Sequence, residues 1–316
     1  MNRFDLAKAY KNKGYCNLQV LFDNEQVEYL RKTFEKNFSK KEFVGDMSLF
    51  DIEDKQAIKM ILEVFNSEII QSTLREISKY NNIKISVLPP FTIQRNYHVD
   101  VLEILGWHRD CGGELAYKYC TKKLCDKSYI LGKIGIYFQE NGGFGGSIDL
   151  IPYSHRYFDP RAILIRKLKG IPLFITNKLH SHFRTIYRLL PEKFYMNSFR
   201  AKKMFPQIGS PVLFDSRVIH RGSPIEEKVR NQVRFFPGRA SAEVPKTKTK
   251  YSVYTHFGSS IAVDSYMFDR LKREDNSLEL RTWCNEQKKV ENFFPNLALS
   301  IKDVMDSVLP KYNQYL

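Results

Sequence analysis

Cysteine is scarce and irregular in this chain. There are five in 316 residues: Cys16, Cys111, Cys120, Cys125 and Cys284. An odd number at uneven spacing makes no disulfide framework. It fits free thiols in a reducing compartment, so a cytoplasmic setting is expected. Cys120 and Cys125 form a C-x4-C pair, but no second Cys or His pair stands at zinc-finger spacing. A structural zinc site is therefore short of ligands. No apolar run approaches about 18 residues, so no transmembrane helix is expected. The opening stretch "MNRFDLAKAYKNKGYCNLQV" carries charges throughout and lacks the apolar segment of a cleaved signal. Repeats and low-complexity segments are also missing.

Aromatic and basic residues are plentiful. With 23 Phe, 18 Tyr and 43% hydrophobic residues, the chain can build a sizeable core. Its 50 Lys and Arg against 35 Asp and Glu give a net charge of +15. That balance favours acidic partners such as phosphates, carboxylates or nucleic acid. The lysines are scattered, however. The densest runs, "PKTKTK" (245–250) and "LIRKLKG" (164–170), lack the spacing of a recognition helix. A solvated basic surface explains them more simply than a nucleic-acid footprint.

The first eighty residues read as helical. "DNEQVEYLRKTFEKNF" (23–38) places Val27, Leu30, Phe34 and Phe38 on one face, with Asp23 or Asn24 as cap. A second helical stretch runs from about Lys55 to Tyr80, with Ile58, Ile61, Leu62, Phe65, Ile69 and Ile70 on its apolar side. The texture then turns β-branched and aromatic. Strands are expected in 83–100, broken at Pro89-Pro90, and in 128–141, where Ile130, Gly132, Ile134, Ile136 and Phe138 alternate. A glycine turn and short strand follow in 142–155. Two short strands with a turn near Asp215-Ser216 are expected in 209–224, and further strands in 230–239 and 251–258. Residues 156–206 read as a helical insertion, and 261–309 return to helical periodicity. Short strands with glycine turns point to a mainly β jelly-roll core, about 83–258, flanked by an N-terminal helical part (about 1–81) and C-terminal helices. No proline-rich linker interrupts the chain, so a single domain over 1–316 is expected.

The chemistry concentrates in "GWHRDCGG" (106–113). On a strand, His108 and Asp110 point to the same face. Such a pair can be an ordinary hydrogen bond, or two of the three ligands of a 2-His-1-carboxylate iron site. His220 is the best candidate for the third, beside the turn "RGSP" after the apolar "PVLFDSRVI". The other histidines (98, 155, 180, 182 and 256) read as surface or core residues. His180 and His182 fall in the insertion.

Three ordered stretches resemble the phytanoyl-CoA dioxygenase family of Fe(II)/2-oxoglutarate oxygenases. "WHRD" matches the family's W-H-x-D ligand segment. "GSIDLIPYSHR" resembles its P-G-S-H element, with Tyr153 where glycine is usual. "GSPVLFDSRVIHRGSPIEEKVR" resembles its G-D-x-x-x-F…H-x-G-x-x-N…R block, with Ser210 in place of the acidic residue. The likeness spans about 92–236. It implies a double-stranded β-helix (jelly-roll, cupin-like) core and Fe(II), 2-oxoglutarate and O2 as cofactor and cosubstrates. It implies His108, Asp110 and His220 as metal ligands and an arginine shortly after the distal histidine for the far carboxylate of 2-oxoglutarate. Arg230 fits that role and Arg234 is the alternative, since a guanidinium can hold a carboxylate through two parallel hydrogen bonds. Gln94 and Asn96, polar on one strand face, and Tyr137, on the next core strand, are further cosubstrate candidates. His155 becomes a turn residue outside the triad.

The resemblance implies a hydroxylase releasing succinate and CO2. The Asp110 carboxylate argues against halogenation, since halogenating relatives have a small residue there. A small-molecule metabolite is the expected substrate, and the basic residues of 156–206 suit an anionic or acyl-type one. Two other readings stay open: a nucleic-acid or protein hydroxylase with the same chemistry, and a jelly-roll metal-binding protein that is not an oxygenase.

Overall fold

A computed structural model describes residues 3–39, 45–96, 110, 129–139, 148–156, 202–204, 206–218, 220–222, 250–271 and 277–315. The segment carrying His108, nearly all of the expected 156–206 insertion, and the expected 230–239 strand with Arg230 and Arg234 lie outside these residues.

The N-terminal part folds as helices α1 (Arg3–Lys13), α2 (Asn24–Ser39), α3 (Lys55–Phe65) and α4 (Glu68–Asn81). The expected continuous helix over 55–80 is thus two. It breaks at Asn66 and Ser67, which takes an extended backbone and starts α4. Asp54 caps α3, its Oδ1 accepting from the Gln56 and Ala57 amides at 2.9 and 3.1 Å. Helix α1 was not legible from periodicity. Only Leu6, Ala7 and Tyr10 are buried in it, among many charges.

Six strands form one antiparallel sheet in the order β1-β7-β4-β9-β3-β2. They are β1 (Tyr15–Asn17), β2 (Gly45–Ser48), β3 (Ser86–Asn96), β4 (Leu131–Tyr137), β7 (Pro211–Asp215) and β9 (Lys250–Gly258). A second antiparallel sheet has the order β6-β5-β8, from β5 (Ile148–Leu150), β6 (Lys202–Met204) and β8 (His220–Gly222). Pro89-Pro90 does not end β3, as the sequence suggested. The strand runs through it with a shift in register between Leu88 and Thr92, because proline offers no N–H to the ladder.

Period-two alternation divides the large sheet between two cores. Leu213, Ile134, Ile136, Val253 and Ile93 pack outward against α1–α4 and the C-terminal helices α5 (Ser260–Leu271), α6 (Ser277–Glu291) and α7 (Pro295–Met305). Tyr15, Tyr137, Val212 and Phe214 point the other way and meet Ile148, Leu150 and Met204 of the small sheet. Each fully buried large apolar side chain contributes about 1.5–3 kcal/mol. The helices therefore stabilise one face of the sheet and leave the other free to line a site.

Candidate metal centre

His220 opens β8, where its partner across the ladder is Leu150. As the expected turn near Asp215-Ser216 requires, β7 stops at Asp215, and a turn over 216–218 carries the chain to the second sheet. His220 is 4% exposed, with its ring 4.9 Å from that of Phe214. Its Nδ1 lies 2.9 Å from the Val218 carbonyl oxygen. A carbonyl only accepts, so Nδ1 carries the hydrogen and donates it. In the neutral ring Nε2 is then a bare lone pair, the arrangement typical of a metal-bound histidine.

Nε2 faces Asp110. The distance from His220 Nε2 to Asp110 Oδ2 is 3.1 Å. Asp110 is anchored through its backbone, its amide donating to the Ser216 carbonyl at 2.9 Å. One turn thus holds both residues, through two carbonyls two positions apart. Two acceptors this close need either a proton on Nε2 or a cation shared between them. Donors at right angles on one octahedral ion, each about 2.1 Å from it, lie roughly 3.0 Å apart. The separation of Asp110 and His220 fits that spacing, and the nitrogen–carboxylate donor set suits iron. Among the described residues, no group of three or more His, Cys, Asp and Glu gathers at one point. His108, the third ligand expected from the sequence, lies outside them.

The inward face of β4 contributes Lys133, Gly135 and Tyr137. Lys133 Nζ stands 3.0 Å from Asp110 Oδ2, so the carboxylate meets an ammonium and an imidazole at once. Sequence reading passed over this lysine. Its signal was a single charge within the otherwise apolar run "YILGKIGIYF". Tyr254, opposite Gly135 across the ladder, lays its ring over that glycine. An added Cβ on Gly135 would come within 2.7 Å of the ring and 3.3 Å of the Tyr137 hydroxyl, so the position requires glycine by close approach. The Tyr254 hydroxyl donates to that of Tyr137 at 3.1 Å. Burial raises the Tyr254 phenol, as do the Asp46 and Asp110 carboxylates, against lowering by Ser252 and Tyr137. Tyr254 therefore remains a proton-bearing donor.

Gln94 belongs to the same inward face of β3, since its neighbours Ile93 and Arg95 turn outward, Arg95 over the Phe38 ring. Its Nε2 donates to Asp46 Oδ1 at 3.0 Å. Asn96 ends β3 opposite Lys250. Of the residues singled out from sequence, Asp110 and His220 meet directly, and Tyr137 lines the same inner face. His155 stands apart from them in a short 3-10 turn, Ser154–Arg156, with Nε2 3.2 Å from the Lys11 carbonyl.

No model of a protein family matches the chain, and no curated protein matches it. Among solved structures, three similar ones are the following. The non-heme alpha-ketoglutarate-dependent epimerase SnoN from nogalamycin biosynthesis is 10% identical, with a TM-score of 0.46 over 82% of this chain and 83% of that one. The alpha-ketoglutarate-dependent carbocyclase SnoK from the same biosynthesis is 9% identical, with a TM-score of 0.45 over 81% and 83%. HygX from Streptomyces hygroscopicus, with nickel and 2-oxoglutarate bound, is 12% identical, with a TM-score of 0.45 over 82% and 87%.

Proposed function

We propose that this chain is an Fe(II)- and 2-oxoglutarate-dependent oxygenase that hydroxylates an unactivated C–H bond of a small molecule. The observation that carries the reading is the approach of Asp110 Oδ2 to His220 Nε2, with Nδ1 of the same ring committed to Val218. A structural hydrogen bond between the two would need its proton on Nε2. With Nδ1 already donating to Val218, such a bond requires the doubly protonated ring, whereas a cation lets the neutral ring and the carboxylate meet as two ligands. His108, two residues before Asp110, supplies the third ligand. The two facing sheets form part of a double-stranded β-helix with the site in its mouth.

Iron held there supplies the activation of O2 that turns 2-oxoglutarate into succinate and CO2 and oxidises the substrate. The rest falls to the chain. Arg230, or Arg234, binds the far carboxylate of 2-oxoglutarate by paired hydrogen bonds. Tyr137 and Tyr254 present hydroxyls on the inner face and orient the cosubstrate. Lys133 holds positive charge beside Asp110 and helps to gather two anionic carboxylates into a confined space. Phe214, Val212 and Leu150 exclude water. The retained carboxylate at Asp110 favours hydroxylation over halogenation.

Succinate release from 2-oxoglutarate by the iron-loaded protein, with and without a panel of small anionic metabolites, tests the reading. Slow turnover alone, stimulated by a metabolite and abolished by Asp110→Asn, is the expected result. Equal turnover in Asp110→Asn would overturn it.

A further inference from the structure

The carbonyls at the end of α1 are taken up by loops of both sheets. Gly14 follows the helix with φ at 84°, and its amide donates to the Tyr10 carbonyl at 2.7 Å, closing the helix in a left-handed cap. Carbonyls at a helix end lack partners within the helix. Here three, in and just past the last turn, have recipients in other elements. The Lys13 carbonyl accepts from the Tyr153 amide at 2.9 Å, and the Gly14 carbonyl from the Asp215 amide at 2.8 Å. His155 Nε2 lies 3.2 Å from the Lys11 carbonyl oxygen, which only accepts, so Nε2 donates. The Tyr10 hydroxyl adds a contact to Asp215 Oδ2 at 3.2 Å.

Tyr153 and His155 belong to "PYSH", the turn after β5 in the small sheet, whereas Asp215 ends β7 in the large one. Tyr153 has φ at 66°, in the left-handed region that favours glycine, and that conformation presents its amide to Lys13. Gly14 allows the close approach of the other groups. An added Cβ there would come within 2.4 Å of Val218 Cγ2 and 2.6 Å of His155 Nδ1, so both side chains pack on that glycine. Val218 closes the turn after β7, its amide donating to the Asp215 carbonyl at 2.9 Å. From the same turn Ser216 accepts the Asp110 amide, and His220 follows two residues after Val218.

We propose that the end of α1, with Gly14 and His155, is a bracket that positions the metal centre. His155 is a positioning residue and not a ligand. Its bond to Lys11 ties the small sheet's turn to α1. Gly14 carries that hold to Asp215 and Val218, in the turn from which Asp110 and His220 are placed. The assignment rests on the iron-site reading for its purpose. The hold on the turn is read on metal-free protein, from the Asp110 and Asp215 amides.

The test takes the full-length chain as wild type, as His155→Leu, which keeps the bulk but loses the N–H, and as His155→Gln, which returns an N–H near the place of Nε2. Exchange of the Asp110 and Asp215 amides is measured by NMR without metal, with the amides of α3 as reference. Binding of Ni(II) alone is then measured by calorimetry, and the melting temperature of each protein is recorded. In His155→Leu both amides should exchange about tenfold faster while α3 keeps its wild-type rate, because the opening is local. Ni(II) should bind on the order of tenfold more weakly, as when a metal ligand loses its support. His155→Gln should restore both. Unchanged exchange at the two amides in His155→Leu would overturn the proposal, whatever the nickel result. So would faster exchange with wild-type nickel affinity, exchange that rises equally in α3, or a His155→Gln protein as loose as His155→Leu. If His155→Leu does not fold, Tyr10→Phe, which removes the hydroxyl from Asp215, is read against the same outcomes. Loosened amides in the variant, but no Ni(II) binding by wild type, would overturn the iron reading and leave the bracket's hold on the turn standing.

Discussion

Asp110 Oδ2 and His220 Nε2 are 3.1 Å apart, and His220 opens the second sheet. If they share a metal, removing either donor should abolish binding rather than weaken it slightly. Asp110→Asn and His220→Ala should each lower affinity for a divalent ion by about a hundredfold or more, while the folded state persists. Calorimetric titration with Ni(II) checks this. Micromolar binding retained in both variants would contradict it.

Lys133 contacts the same carboxylate oxygen at 3.0 Å. An ammonium and a divalent ion compete for that oxygen, since like charges at such distances repel strongly in a partly buried site. Lys133→Met should therefore tighten binding of metal alone, by roughly tenfold at an interaction of about 1.4 kcal/mol. The same titration reads the effect. Weaker binding in the variant would show that the lysine supports the metal instead.

Gly135 leaves room for the Tyr254 ring. Gly135→Ala forces that ring away and breaks its hydroxyl contact with Tyr137. A loss of about 1–3 kcal/mol is expected, as for other overpacked interiors. Urea unfolding monitored by tyrosine fluorescence measures it. An unchanged midpoint would mean that the ring moves without cost.

Glu286 on α6 is 2% exposed and is shared by two elements. Its Oε1 accepts from the Ser48 hydroxyl at 2.6 Å and its Oε2 from the Phe91 amide at 2.7 Å. Burial raises its carboxyl above the ordinary 4.5, although both hydrogen bonds and Lys289 oppose the rise. The native state then holds its proton to higher pH than the unfolded chain does. Stability from this group is full below the unfolded value and is lost as pH rises through the folded one. Glu286→Gln keeps both partners and removes the titration. The difference in urea midpoint between variant and wild type should grow in the variant's favour as pH rises from about 4.5. A difference that stays constant with pH would contradict the buried-acid account.

Sequence periodicity located α2, the apolar faces of α3 and α4, strand β4, and the strand–turn–strand of β7 and β8, because each buries one face against a core. Helix α1 falls within the stretch expected to be helical, but its own bounds and face were not legible, because three buried residues among many charges make almost no pattern. Strand β1 was missed because three residues are too few to alternate, and its pairing with β7 joins positions far apart in the chain. The site was legible where residue type is diagnostic. His220 and Asp110 were singled out for their chemistry, and they meet. Lys133 and Tyr254 were not, because their roles arise only when β4, β7 and β9 lie side by side.

The account stands on iron and 2-oxoglutarate meeting at Asp110 and His220. Anaerobic addition of Fe(II) and then 2-oxoglutarate to the metal-free protein, followed by visible absorption, tests this most directly. A charge-transfer band that appears only when both are present, and is missing in His220→Ala, is the predicted result. Iron binding with no band on adding 2-oxoglutarate would contradict the account and leave a metal protein of another kind.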